Sequence, residues 1–347
     1  LPAPSRRSPG GQAEFLAAHR NRVLEAMAGR GALGRQELAR ALAEPLDAAA
    51  HPWPFLAPHF CDSVLARGAA GCTSLDLDLQ RRVEKVVAAF PSEGVDGLGI
   101  VVLDRSDGAV AALLGSRGWR SQPLDATRCR RAAGSSLKPF LFALAFQAGA
   151  AGPESLLLDT PGRFGDYSPE NFSRDYVGPI LAGQALQRSR NLPAVRLLGS
   201  LGVESFRDLL RRLGLPAGSG PLHLDLALGT LAVSPRELAR AWHILADRPE
   251  AAGLLPATRE HVLAALAACS PGRGLAWKTG TSSGRRDAWC AGVTPEHILV
   301  VWLGNLDGRG APGLVGGEGA ARLFAALAGA LDAGGERTAR LTEMERP

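Results

Sequence analysis

The sequence predicts an α+β fold, an antiparallel five-stranded sheet drawn from N- and C-terminal strands with a large helical insertion between them. Two apolar runs, Ile100–Leu103 and Ala109–Leu114, flank the turn DRSDG and read as a β-hairpin. Three more strand candidates, in GLAWKTGTS, AWCAGV and ILVVWLGN, lie between Gly274 and Asn305 and are joined by the turns SGRRD and TPEH. Between these two groups, from Gly134 to about Cys269, the apolar periodicity is mostly helical. Strands at both ends of a helical body pair most simply with each other. That pairing brings Lys278 near the helix expected to bear Ser135.

Taken in order, residues 1–10 (LPAPSRRSPG) are rich in Pro and Arg and read as a loop or linker. Two helical patterns follow between Gly11 and Glu44, QAEFLAAHRNRVLEAMA and RQELARALAE, parted by the glycines of GRGALG. A Pro-rich stretch, EPLDAAAHPWPFLAPHF, leads to a boundary placed near Cys72. Thr73 or Ser74 is then expected to cap a helix whose apolar face includes Leu79, Val83 and Val86. After the hairpin, the helical body is broken by loops such as DTPGRFGDYSPENFSRDY. After the last strand, GAARLFAALAGALDA forms a final helix before a polar tail.

Composition excludes several classes. Of 347 residues, 46% are hydrophobic and 21% charged, enough for a substantial core. The net charge is +5, but the basic residues are scattered without aromatic interleaving, so no nucleic-acid partner is expected. Cys61, Cys72, Cys129, Cys269 and Cys290 show no ligand spacing; buried free thiols are the expectation, with no metal and no cofactor. No apolar run approaches the roughly 18 residues of a membrane span. The first residue is Leu1, and the reading is of a processed chain or a piece of a longer one.

The chemistry is signalled by lysine. Among 39 basic residues 36 are Arg, and only Lys85, Lys138 and Lys278 are Lys. A lysine can lose its proton within a protein, whereas an arginine effectively cannot. Lys138 follows Ser135 by three residues at an expected helix start, so the two share a face. A serine hydroxyl is a weak nucleophile until a base removes its proton, and a neutral Lys138 could do so. Neutrality near pH 7 needs a shift of about 3 pK units, roughly 4 kcal/mol, from burial and a nearby cation. Lys278 is the candidate cation. A second element, Ser189-Arg190-Asn191, offers a hydroxyl to relay a proton and an amide to hold a carbonyl. A third, KTGTS, is a strand end where Gly280 lets a substrate backbone lie alongside. The N–H groups of Ser135 and Thr281 could together receive an oxyanion. Singly, each element is also read as a cap, a turn or a polar strand end. Together they hold two of the three lysines and one of the four asparagines.

The order SxxK, SxN, KTG is that of penicillin-binding proteins and serine β-lactamases. GSSLKPF resembles the family's G-S-T-x-K-P, with Ser136 in place of threonine. YSPENF and ALQRSRNLPAVRLL are similar to class A transpeptidase domains, and AWKTGTSSGRRDAW most resembles their 1C branch. The resemblance implies the serine β-lactamase/penicillin-binding transpeptidase fold over residues 73–335. It further implies a linker and the helical tail of a missing glycosyltransferase domain over 1–72, and a polar tail over 336–347. It implies Ser135 as acyl-forming nucleophile, Lys138 as base, Ser189 and Lys278 in a proton relay, and Asn191 on the substrate amide. Thr279 and Thr281, with Gly280 between them, would bind the substrate carboxylate. The implied activity is D,D-transpeptidation, cross-linking peptidoglycan stem peptides through a serine acyl-enzyme that β-lactam antibiotics trap. Other cell-wall synthesis proteins are further implied partners. The implied location is the periplasmic face of the inner membrane, with membrane association only through an absent N-terminal region. Two other readings use the same motifs: a D,D-carboxypeptidase or β-lactamase-type hydrolase, and a non-catalytic β-lactam or peptidoglycan-binding module.

Overall fold

The computed structural model describes residues 13–45, 55–68, 71–91, 94–268, 274–311 and 314–332. The predictions for residues 1–10, Cys269 and the tail 336–347 lie outside the described residues. Two compact units divide between Phe55 and Leu56. The first holds α1 (Ala13–Gly29) and α2 (Arg35–Ala43), whose last turn is capped from α1. There the Arg20 guanidinium donates to the carbonyls of Leu42 and Glu44 at 3.2 and 2.5 Å, the favourable pairing for a cation at a helix C-terminus.

The second unit opens with α3 (Pro58–Leu65) and α4 (Leu77–Ala89), followed by β1 (Gly97–Asp104) and β2 (Val110–Leu114). The helical insertion contains β3 (Arg131–Ala132), α5 (Lys138–Gln147), β4 (Leu156–Asp159), β5 (Gly178–Leu181), α6 (Ala182–Gln187), α7 (Asn191–Leu201), α8 (Val203–Arg212), β6 (Ala232–Val233), α9 (Pro235–Asp247) and α10 (Pro256–Ala267). The chain then returns to the sheet with β7 (Ala276–Thr281), β8 (Asp287–Val293) and β9 (His297–Gly304), and α11 (Gly319–Asp332) follows.

The sheet order is β2-β1-β9-β8-β7, every neighbour antiparallel. The predicted pairing of terminal strands is therefore what forms: β1 runs along β9 from Gly97↔Gly304 to Asp104↔His297. Both faces are covered, which explains the uninterrupted apolar runs. Along β9, Ile298, Val300 and Trp302 join the core shared with α5, α7 and α9. The alternate residues Leu299, Val301 and Leu303 join the core shared with α4 and α11, as the two-residue period of a strand requires. β7 is an edge strand.

Several local expectations are corrected. The cap of α4 is Asp76, whose carboxylate accepts the Leu79 N–H at 2.9 Å, not Thr73 or Ser74. The Ser74 hydroxyl instead donates to the Val110 carbonyl. The Pro-rich stretch ends in α3, because Pro58 is the first helical residue, where a missing N–H is harmless. Cys61 and Cys72 are exposed free thiols, and only Cys290 among the described cysteines is buried. No described helix is long and apolar enough to cross a membrane.

Candidate active site

Three segments meet where β7 ends. Ser135 lies in a short 3-10 turn, Gly134–Leu137, and the α-helix starts only at Lys138. This revises the expected α-helical start: the Lys138 N–H bonds the Ser135 carbonyl, so the two residues span one 3-10 turn. The buried Ser136 hydroxyl donates to the Ala133 carbonyl at 2.7 Å and closes the turn.

Glycines bring the segments into backbone contact. Gly134 has φ +55°, and a Cβ there would stand 2.6 Å from the Thr281 carbonyl oxygen. A Cβ on Gly280 would stand 2.5 Å from the Ala133 carbonyl oxygen and 2.9 Å from the Ser136 nitrogen. Thus the glycine of KTG is what allows β7 to lie directly against the serine turn. From β8, the Trp289 indole N–H donates to the Ala132 carbonyl at 2.9 Å and holds the approach to the turn.

Lys138 is fully buried. Its Nζ donates to the Ser189 carbonyl and to Asn191 Oδ1, each at 2.6 Å, and lies 3.5 Å from Ser189 Oγ. Burial first, then the Lys278 ammonium and the Arg190 guanidinium, hold the Lys138 amine well below the usual lysine range, with Asp159 opposing. Burial, the first cause named from sequence, outranks the second cation. A neutral amine has two N–H bonds and one lone pair. The two short donations use both N–H bonds and leave the lone pair for a hydroxyl. Lys278 is itself buried and donates to the Thr279 carbonyl at 2.9 Å.

Ser189 sits at φ +58°, a left-handed conformation that a non-glycine residue adopts only when its surroundings impose it. Those surroundings centre on Asp159, a fully buried carboxylate at the end of β4. It accepts from Arg190 Nε at 2.6 Å, Asn171 Nδ2 at 2.8 Å and the Val177 N–H at 3.1 Å. Asn171 Oδ1 in turn accepts the Asn191 N–H at 2.7 Å, while Asn191 Nδ2 donates to the Glu170 carbonyl at 2.7 Å. The Asn191 amide thus orients Lys138 and keeps one N–H to donate elsewhere.

Beyond β7, Ser282 and Asp287 lock the loop base: Ser282 Oγ donates to Asp287 Oδ2 at 2.7 Å and accepts the Asp287 N–H at 3.0 Å. Trp302 Nε1 donates to Asp287 Oδ1 at 3.1 Å. The Thr281 hydroxyl accepts the Gly316 N–H at 3.0 Å, which leaves its own hydrogen to donate. Ser135, Ser189, Asn191, Thr279, Gly280 and Thr281 all line one cavity of about 1390 Å³. Lys138 and Lys278 are buried and are not part of its lining. All three predicted elements are therefore brought together. Sequence reasoning missed Asp159, Asn171, Asp287 and Trp289. The last two stand in the quoted R-D-A-W, and Asn171 in YSPENF, so the signal was there without a role attached.

Residues 98–250 match the penicillin binding protein transpeptidase domain. Penicillin-binding protein 1C of Escherichia coli (strain K12) is 34% identical over an alignment taking in 99% of this chain and 49% of that protein. Penicillin-binding protein 1A of Pseudomonas aeruginosa is 34% identical over 43% of this chain and 19% of that protein. The chain thus spans about half the length, or less, of these curated relatives. Among solved structures, penicillin-binding protein 1A from Haemophilus influenzae superimposes with a TM-score of 0.71 at 17% identity, over 95% of this chain and 78% of that one. The PonA1 protein from Mycobacterium tuberculosis in complex with penicillin V gives 0.68 at 22% identity, over 78% of this chain and 87% of that one. The fold expected from sequence is therefore the one found, and the chain carries the transpeptidase domain of a penicillin-binding protein.

Proposed function

We propose that the chain is a serine D,D-transpeptidase acting on the D-alanyl-D-alanine end of peptidoglycan stem peptides and acylated by β-lactams, with residues 73–335 as its catalytic domain. The observation that carries this reading is a buried amine, Lys138, with its charge disfavoured and its lone pair unspent, three residues after a cleft-lining serine. In the proposed reaction Lys138 removes the Ser135 Oγ proton, and Oγ attacks the carbonyl carbon of the penultimate D-alanine. The N–H groups of Ser135 and Thr281 receive the oxyanion. The C–N bond breaks, and the proton returns through Lys138 and Ser189, poised by Lys278, to the departing D-alanine nitrogen. An acceptor amine then attacks the ester carbon and loses its proton to the same base, which passes it to Ser135 Oγ as the ester C–O bond breaks. Asn191 holds the peptide amide, and Thr279 and Thr281, flanking Gly280, hold its carboxylate. In a β-lactam the leaving nitrogen stays tethered, so the ester persists. Such substrates imply work at the periplasmic face of the inner membrane.

Within the hydrolytic alternative, a class A β-lactamase needs a glutamate to activate the deacylating water. Glu170, the acidic candidate in SPENF, is exposed, lies 3.5 Å from Arg174, and does not line the cavity, which counts against a class A β-lactamase. Labelling with a fluorescent penicillin tests the nucleophile: Ser135→Ala should abolish it with the fold intact, and label on another residue refutes the assignment. Cross-linked dimers from lipid-linked precursor, with a polymerising partner supplied, distinguish the transpeptidase from a binding module. Release of bound penicillin within seconds would mark a hydrolase.

A further inference from the structure

The cavity wall is strongly cationic. Six arginines line it, against two aspartates. One of these, Asp287, is buried and already accepts from Ser282 and Trp302. Three of the arginines have structural duties. Arg130 pairs with Glu237 at 2.6 Å, Arg190 with Asp159 and Asp175, and Arg131 donates to the Leu306 carbonyl and lies over Trp302. The others, Arg188, Arg285 and Arg286, are exposed. Arg188 immediately precedes Ser189, while Arg285 and Arg286 follow the KTGTS segment, so the cations flank two of the three motif segments. Among the described residues, no carboxylate pairs with Arg188 or Arg286.

The loop carrying Arg285 and Arg286 is fixed. The Arg285 N–H donates to the Ser282 carbonyl at 3.1 Å, its carbonyl accepts the Ala311 N–H at 3.1 Å, and the Ser282–Asp287 pair closes the base. Arg285 has φ +52° after Gly284 at +74°. Glycine or asparagine would adopt that conformation with less strain, yet a large cationic residue occupies it. Arg286, next in the chain, is thus carried by a hydrogen-bonded turn at the rim of the cleft.

We propose that Arg188 and Arg286 form a subsite for a second carboxylate of the peptide substrate, apart from the terminal carboxylate at Thr279 and Thr281. The inference rests on the acyl-transfer reading above and deepens it: the preferred peptides carry a free side-chain carboxylate, and their amidated counterparts react more slowly. Guanidinium forks suit a planar carboxylate. Because the pairs are exposed, the preference weakens as salt screens them. The carboxylate could belong to the acylating peptide or to the incoming amine, and the two steps separate these sources.

The test measures acylation by benzylpenicillin and by its α-carboxylated analogue, in low and high salt. A second measurement follows aminolysis of the acyl-enzyme from a benzoyl-D-alanyl thioester by D-glutamate and by D-glutamine. The expected result is a preference of about 3- to 10-fold for the anionic partner in one step. That ratio should collapse in Arg286→Glu and Arg188→Glu, persist in Arg286→Lys, and shrink with salt. A preference in acylation places the carboxylate on the donor, and one confined to aminolysis places it on the acceptor. A ratio near one in both steps, or one that both charge reversals leave in place, overturns the subsite. Failure of both penicillins to label Ser135 would remove the acyl-enzyme reading itself, and the subsite with it.

Discussion

Replacing Arg190 with methionine isolates the support beneath the SRN segment. Asp159 is wholly buried, and Arg190 is its only cationic partner among the described residues. Without the guanidinium, two neutral donors remain, Asn171 Nδ2 and the Val177 N–H. Stranding one member of a buried ion pair costs about 3–5 kcal/mol, a large share of the roughly 5–15 kcal/mol that holds a domain folded. Removing Asp159 instead is milder, because Arg190 keeps Asp175, 2.9 Å away and more exposed. Asp159→Asn with Arg190→Met should therefore be less damaging than Arg190→Met alone. Urea unfolding of the two single variants and the double variant gives the coupling directly. Arg190→Met should lower stability by at least about 3 kcal/mol, with a coupling above about 1 kcal/mol. Additive effects, or a loss below about 1 kcal/mol, would refute the claim that this pair holds the segment.

Further outcomes follow from the same site. The acylation rate should rise with pH as Lys138 loses its proton, at a pH below the usual lysine range because burial, Lys278 and Arg190 disfavour the ammonium. Lys278→Met removes one disfavouring cation, so the rising limb should move to higher pH, and Asp159→Asn should move it lower. Lys138→Arg should be slow and flat across the range, because a guanidinium stays charged; substantial acylation in that variant contradicts the base assignment. Gly280→Ala would drive a methyl into the Ala133 carbonyl and the Ser136 nitrogen. It should slow acylation by about 100-fold or more, while unfolding shows a loss of about 1–3 kcal/mol; normal labelling would show that the close approach is dispensable.

The sheet and the three motifs were legible for a physical reason. Strands buried on both faces must be apolar throughout, so HILVVWLG announces itself, and turn residues mark its ends. The β4–β5 hairpin carries no such mark, because Leu156 and Leu158 remain 70% and 51% exposed and an apolar run there does not mean burial. The two-residue strands β3 and β6 are too short for any period to show. In the site, Ser135, Lys138, Ser189, Asn191 and the KTG segment stood out by type and spacing. Their supports did not, because Asp159 meets Arg190 across 31 residues and Trp289 meets Ala132 across 157. Bonds spanning such separations leave no local pattern, and only the fold reveals them.

Around the serine turn, the chain meets itself through bare main chain. A Cβ on Gly229 would come within 1.8 Å of the Gly134 oxygen, as closely forbidden as those at Gly134 and Gly280. A side chain added at any of these three glycines would force the floor of the cleft apart. Arg188, Arg286 and the exposed Phe172 line the margin instead, away from these glycine contacts. A change in what the cleft accepts is therefore easier to make at its margin than at its floor.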